Sequence, residues 1–154
     1  MRQKSEAQIY LEQYEKLFVQ MECKIAERQQ WHDLSFSITQ QMGGDRVQSS
    51  GSKSKMTDAY DRCMAMEKQI SEEIAAVAEK QEEIKQTLKR VDNPTEYKLL
   101  HMRYVQFKEL KEIANIFKAD YTWATTVHGR ALKSVQEILN RKNLNQPKFV
   151  TSCD

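Results

Sequence analysis

The sequence predicts an all-α protein: a long N-terminal helical hairpin of coiled-coil character, followed by a C-terminal helix-turn-helix domain. Three observations lead there. Apolar residues recur at spacings of three and four over long stretches, the period of an amphipathic helix. Gly and Pro are scarce, four and two among 154 residues, while 30 % of the chain is charged, the balance of a soluble helical protein. The segment from Leu110 to Val135, LKEIANIFKADYTWATTVHGRALKSV, reads as a short helix, a tight turn and a longer helix.

The first helix is expected from about Lys4 to Gln30. Tyr10, Tyr14, Leu17, Met21 and Ile25 fall on one face, and Glu12 and Lys16 form an i,i+4 pair outside it. Trp31, Leu34 and Ile38 continue the pattern as an extension or a second short helix. Gly43, Gly44, Ser49, Ser50, Gly51, Ser52 and Ser54 then mark a loop over about 43–55. It is either a plain linker or, through Arg46, Lys53 and Lys55, a functional basic loop.

A second long helix is expected from about Thr57 to Arg90. Tyr60, Cys63, Glu67, Ile70, Ile74, Val77, Gln81, Ile84, Leu88 and Val91 alternate at three and four, a coiled-coil seam with Glu67 and Gln81 as polar interruptions. Such a helix needs a partner. The first helix, antiparallel to it, is one; a second copy, making a homodimer through the 57–91 helix, is another.

Asn93, Pro94 and Glu96 have the identities of an N-cap, N1 and N3, and Lys89 and Arg90 suit the end of the preceding helix. A domain boundary is therefore placed there, giving a hairpin over 1–92, a helix-turn-helix domain over 93–141 and a loose tail over 142–154. Within the domain a first helix carries Leu99, Leu100, Met102, Arg103 and Tyr104 and breaks near Gln106–Lys108. A short helix spans about Glu109–Phe117. Asp120 caps the last helix, which runs to about Asn140.

Composition narrows the function. No apolar run approaches the ~20 residues that span a membrane, and the N-terminus MRQKSEAQIY lacks the apolar core of a secretory signal, so no membrane partner and a cytoplasmic location are expected. Cys23, Cys63 and Cys153 are odd in number and form no C-x-x-C pair, against a disulfide framework or a zinc site. Cys23 and Cys63 are expected as buried small hydrophobes. The net charge is +2, unevenly placed: residues 1–94 hold 14 basic and 16 acidic side chains, and residues 95–142 hold 9 and 5. The basic excess coincides with the helix-turn-helix segment.

That segment carries the candidate chemistry. Leu110, Ile113, Ala114 and Phe117 face inward from the short helix, and Ala124, Val127, Ala131 and Leu132 from the long one. Thr122, Thr125, Thr126 and Gly129 share the opposite face. They are short, so a major groove can come close. Threonine hydroxyls bond bases or phosphates, and their methyls meet thymine methyls. Arg130 and Lys133 follow as phosphate contacts; Tyr121 starts the helix within reach of a phosphate, and Lys118 adds a cation in the turn. Trp123 either edges the small core on Val127 or projects to DNA. His128 is expected as an ordinary, partly exposed histidine.

The stretch YKLLHMRYVQFKELKEIANIFKADYTWATTVHGRALKSV resembles region 4 of bacterial sigma factors. Its LKEIA is similar to that family's L-x-E-I-G/A, and GRALKSV to its A-R-A-L-x-x-L close. The wider arrangement, with helices in front, a loop at Gly44–Ser50 and the segment Val127–Leu132, resembles the phage-encoded RinA/ArpU-like regulators. The resemblance implies a sigma-region-4-like helix-turn-helix that binds double-stranded promoter DNA in a bacterial host cell, with host RNA polymerase as a further partner. By position it marks Tyr121, Thr122, Trp123, Thr125 and Thr126 as the DNA-reading stretch and Arg130 and Lys133 as flanking basic contacts. There are departures. Lys118 stands at the family's turn glycine, Asp120 at a frequent serine, and Tyr-Thr-Trp at an arginine-rich helix start. No segment resembles the part of a sigma factor that melts promoters, which points to an activator of phage genes rather than a complete sigma factor.

Two other classes share these features. A small-terminase-like packaging subunit also joins a helix-turn-helix to an oligomerising helical region, but as a ring. A coiled-coil interaction protein would use the last helices for packing alone. No P-loop spacing occurs in MGGDRVQSSGSK, and no supported Ser/His/Asp or Cys/His set is visible. No enzymatic activity, cofactor or metal is therefore expected.

Overall fold

The computed structural model describes residues 3–42 and 50–145. The chain is all-α: α1 (Glu6–Met42), α2 (Ser50–Leu88), α3 (Pro94–Tyr104), α4 (Leu110–Ile116) and α5 (Tyr121–Asn145), with no strand among the described residues. The chain divides into two compact units, Lys16–Glu79 and a second one made of Met1–Glu15 with Lys80–Asp154.

In the Lys16–Glu79 unit, α1 and α2 run antiparallel. Lys24 pairs with Glu73, Arg28 Nη1 donates to Glu67 Oε1 at 2.9 Å, and the Arg62 guanidinium lies 4.8 Å from the Trp31 ring centre. Later residues of α1 thus meet earlier ones of α2. The expected hairpin exists, with differences in extent. Trp31 and Leu34 belong to α1 itself, which runs unbroken to Met42. α2 starts at Ser50, so residues 50–55 are helical rather than loop. Gly and Ser cost up to ~1 kcal/mol each in a helix, a penalty that elongation of a long, already nucleated helix absorbs. Arg46 and most of the Gly/Ser loop lie outside the described residues.

The α2 seam is only half covered. Cys63, Ile70 and Val77, spaced by sevens, are buried, whereas Tyr60 and Ile74 are 60 % and 50 % exposed. In a two-stranded coiled coil the facing helix covers both heptad lines; here α1 leaves the Tyr60–Ile74 line largely exposed. Two further expectations are corrected. Cys23 is exposed, because it lies on the outward side of α1, two residues past Met21. Glu12 pairs with Lys4, at 2.7 Å, rather than with Lys16, since Lys4, ahead of the helix, reaches forward over its first two turns.

The other unit holds α3, α4 and α5 with the first turns of α1 and the last of α2. Ser5 caps α1, its hydroxyl accepting from Gln8 N–H at 3.2 Å. Gln136 of α5 accepts from Ala7 N–H at 3.0 Å and donates to Glu6. Leu11, Ile84 and Leu88 are fully buried. Beside them Tyr10 bonds Glu83 and Thr87, both at 2.9 Å, and burial pushes its hydroxyl up to about 12. Lys142 Nζ donates to Thr87 at 3.0 Å, so α5 remains helical past Asn140, to Asn145.

Candidate nucleic-acid interface

α3 begins where its caps require. The Asn93 side chain accepts from Thr95 and Glu96 N–H, with Pro94 behind it. Leu99, Ile113 and Val127, one from each of the three helices, form the core, and Met102, Leu110, Phe117 and Trp123 pack against it. Ala114 and Ala124 are buried and small, which lets α4 and α5 cross closely. Ser134 of α5 donates to the nearly buried Glu96 at 2.9 Å.

The turn from α4 to α5 is built by the backbone. Ala119 N–H donates to Ala114 C=O at 3.0 Å and Lys118 N–H to Asn115 C=O at 3.1 Å, the paired bonds of a Schellman motif. Lys118 has φ 53°, the left-handed region that favours glycine. Asp120 Oδ1 accepts from Trp123 N–H at 2.6 Å, so α5 starts on the cap read from the sequence.

α5 then divides by side. Ala124, Val127, Ala131 and Val135 are buried, while Tyr121, Thr122, Thr126, Gly129, Arg130 and Lys133 are exposed. Thr122, Thr126, Gly129 and Lys133 are spaced by fours and threes and make one stripe along the helix, with half-exposed Thr125 on one flank and Arg130 on the other. The hydroxyls of Thr125 and Thr126 both donate to Thr122 C=O, at 2.8 Å. Their protons are thereby committed to the backbone, which leaves each oxygen with acceptor capacity only, beside a γ-methyl. A Cβ built on Gly129 meets nothing within 4 Å, so packing gives no reason for glycine there.

Trp123 stands apart from the stripe. Its ring centre is 5.0 Å from that of Phe117, with the core residues. His128 is half-buried; its Nε2 is 2.8 Å from the Tyr104 hydroxyl, and burial, then Arg103, hold it below the usual histidine range, with Glu12 opposing.

The structure adds residues that sequence patterning did not select. Arg103, Glu109, Leu110, Lys111 and Tyr121 line one groove, bringing the end of α3 and the start of α4 to the first residue of α5. Arg103 Nη1 donates to Lys108 C=O at 3.2 Å, which fixes its reach. A second groove beside Gly129 and Lys133 is lined by Gln3, Ser5, Gln8 and Gln136. The regional excess of basic residues was the available signal; which of them converge on Tyr121 depends on the fold. Among the described residues, no three His, Cys, Asp or Glu side chains converge to hold a metal ion, and no helix is long and apolar enough to cross a membrane.

A family model described as a protein of unknown function (DUF1492) matches residues 37–139, more than half of the chain. Comparison with curated proteins and with solved structures found no match.

Proposed function

The chain belongs to the DUF1492 family, and we propose that it is a sequence-specific regulator that binds double-stranded DNA through α5. One observation carries this: an exposed stripe of Thr122, Thr126, Gly129 and Lys133 on a helix whose other side is anchored in a core, with a glycine that packing does not require. The short side chains let a groove floor approach. Hydroxyl acceptors suit the amino groups of adenine or cytosine, and the γ-methyls suit thymine. Arg130 and Lys133 neutralise phosphates along the helix, and Lys118, Arg103 and Lys111, with the Tyr121 hydroxyl, do so at its start. Trp123 acts by holding α5 on α4 through Phe117. The likeness of residues 97–139 to sigma region 4 directs the proposal to promoters, where the protein would act as an activator of phage genes in contact with host RNA polymerase.

The test is selection from a random duplex pool at near-physiological salt, with and without RNA polymerase. A recovered motif that the Thr126→Val variant alters supports the proposal. Absence of enrichment under both conditions, with no salt-sensitive binding, overturns it and leaves a helical interaction protein. A ring-sized assembly in the same sample would favour a packaging subunit.

A further inference from the structure

We propose that the Lys16–Glu79 hairpin pairs with a second copy of itself, through the face carrying Ile25, Phe36, Tyr60, Met64 and Ile74, to form a four-helix bundle. This inference stands on the hairpin alone and does not depend on α5 binding DNA.

The hairpin's two sides differ. On α1, Lys24 and Ile25 flank the inward line through Met21 and Arg28 on opposite sides; on α2, Glu73 and Ile74 flank the line through Ile70 and Val77 in the same way, since successive residues turn by ~100°. The Lys24–Glu73 pair and Arg62 over Trp31 close one side with polar groups. The other side is open. Ile25, Ile70, Ser71 and Ile74 line an apolar groove there, and Ile25, Met64, Ile74 and Tyr60 are 38 %, 48 %, 50 % and 60 % exposed. Phe36, 59 % exposed, lies eleven residues from Ile25, about three turns along the same side. Within this unit no described α1 residue is buried, so the pair alone does not enclose a core.

The occupant follows from size, periodicity and charge. The arms are ~40 Å long and two helices, ~20 Å, wide. A face of that size buries roughly 800 Å² per copy, the area of a standard stable interface. The line Tyr60, Glu67, Ile74, which α1 leaves half-open, repeats every seven residues and therefore fits another helix of the same supercoil, and hairpin on hairpin is the usual way to complete such a line. The face must also tolerate its own image. The charges that line its groove, Arg28 and Glu67, are already paired at 2.9 Å and present a neutral couple to the same couple in the copy.

Sedimentation equilibrium on the full chain tests this. A mass of twice 18.1 kDa is expected for the natural sequence. Ile74→Glu and Met64→Glu should each return the monomer mass with helical content unchanged, while Ala76→Glu, on the ion-paired side, should leave the dimer. If Ile74→Glu loses helicity, Met64→Glu decides. A monomer at every concentration, an assembly larger than a dimer, or a dimer that survives the Met64→Glu substitution overturns the proposal.

Discussion

The Tyr104 hydroxyl of α3 lies 2.8 Å from Nε2 of His128 on α5, and the two rings stack with centres 5.8 Å apart. Tyr104 is buried and His128 half-buried, and burial, reinforced by Arg103, lowers the His128 pKa. The native state thus binds fewer protons here than the unfolded chain. By linkage this stability is fully present above the unfolded pKa of ~6.5 and is lost as pH falls below it towards the lowered folded value. His101, lowered by burial and then by Lys85, adds in the same direction. Thermal melts from pH 7.5 downward should show stability falling from about pH 6.5. His128→Gln should flatten that fall in part. A melting temperature indifferent to pH across this window would contradict the neutral state of the half-buried His128.

Lys118 occupies the left-handed C′ position of the α4 Schellman turn, at φ 53°. A non-glycine residue there costs roughly 1–2 kcal/mol. Lys118→Gly should therefore stabilise the protein by about 1 kcal/mol, raising the melting temperature by ~2–4 °C for a chain of this size. Differential scanning calorimetry at neutral pH reads this directly. If DNA binding falls while stability rises, the Lys118 cation reaches a phosphate, and its retention in a strained position has a reason.

That turn shows what sequence could and could not disclose. The Asp120 cap and the paired alanines are local properties, encoded within a few residues, so they were legible; the left-handed backbone at Lys118 was not, since a lysine does not announce it. The half-covered seam was not legible either. The 3–4 pattern of α2 is the same however α1 lies against it, and the placement of α1 decides that Cys63, Ile70 and Val77 are buried while Tyr60 and Ile74 are exposed. Long-range capping was equally hidden: nothing near Gln136 announces that it serves the N-terminus of α1, nor anything near Lys142 that it bonds Thr87. Arg103 and Lys111 were counted in the basic excess but not selected, because their convergence on Tyr121 depends on the angle between α3 and α4. Trp123 illustrates the limit of periodicity, since its position suited either core or groove, and its neighbour Phe117 decided it.

Arg130 and Lys133 are exposed on α5, and their proposed role is electrostatic. Arg130→Ala and Lys133→Ala should weaken binding equally on specific and random duplexes. Each should reduce the slope of log K against log salt by about 0.9 for every phosphate that is no longer neutralised. Fluorescence anisotropy over a salt series measures both quantities. A loss confined to one sequence would instead make the residue a base reader.

Thr126 tests the proposed reading face at the level of single atoms. Its hydroxyl proton goes to Thr122 C=O, leaving an acceptor and a methyl. Thr126→Val keeps the methyl and the branched shape but removes the acceptor. Discrimination at one base pair should fall by ~1 kcal/mol, the lower end of what a bidentate base contact is worth, with random-sequence affinity nearly unchanged. Equal affinity and preference for the variant would remove Thr126 from the reading face.

Gly129 sets stability and function against each other. A Cβ at this position meets nothing within 4 Å, and glycine inside a helix costs about 0.5–1 kcal/mol relative to alanine. Gly129→Ala should therefore stabilise the folded protein by that amount, seen as a higher denaturation midpoint with an unchanged slope. If α5 enters a groove, the same substitution brings a methyl towards the DNA, and a bulkier one blocks the approach. Gly129→Leu should keep the alanine variant's folded structure yet lose at least about tenfold in affinity, ~1.4 kcal/mol. Graded loss from Gly to Ala to Leu, with stability never below that of the natural protein, would locate the contact at the backbone of α5. Undiminished binding by Gly129→Leu would mean that this stretch of α5 stays clear of the DNA, and the interface would then have to be confined to the helix start around Tyr121, Arg103 and Lys111.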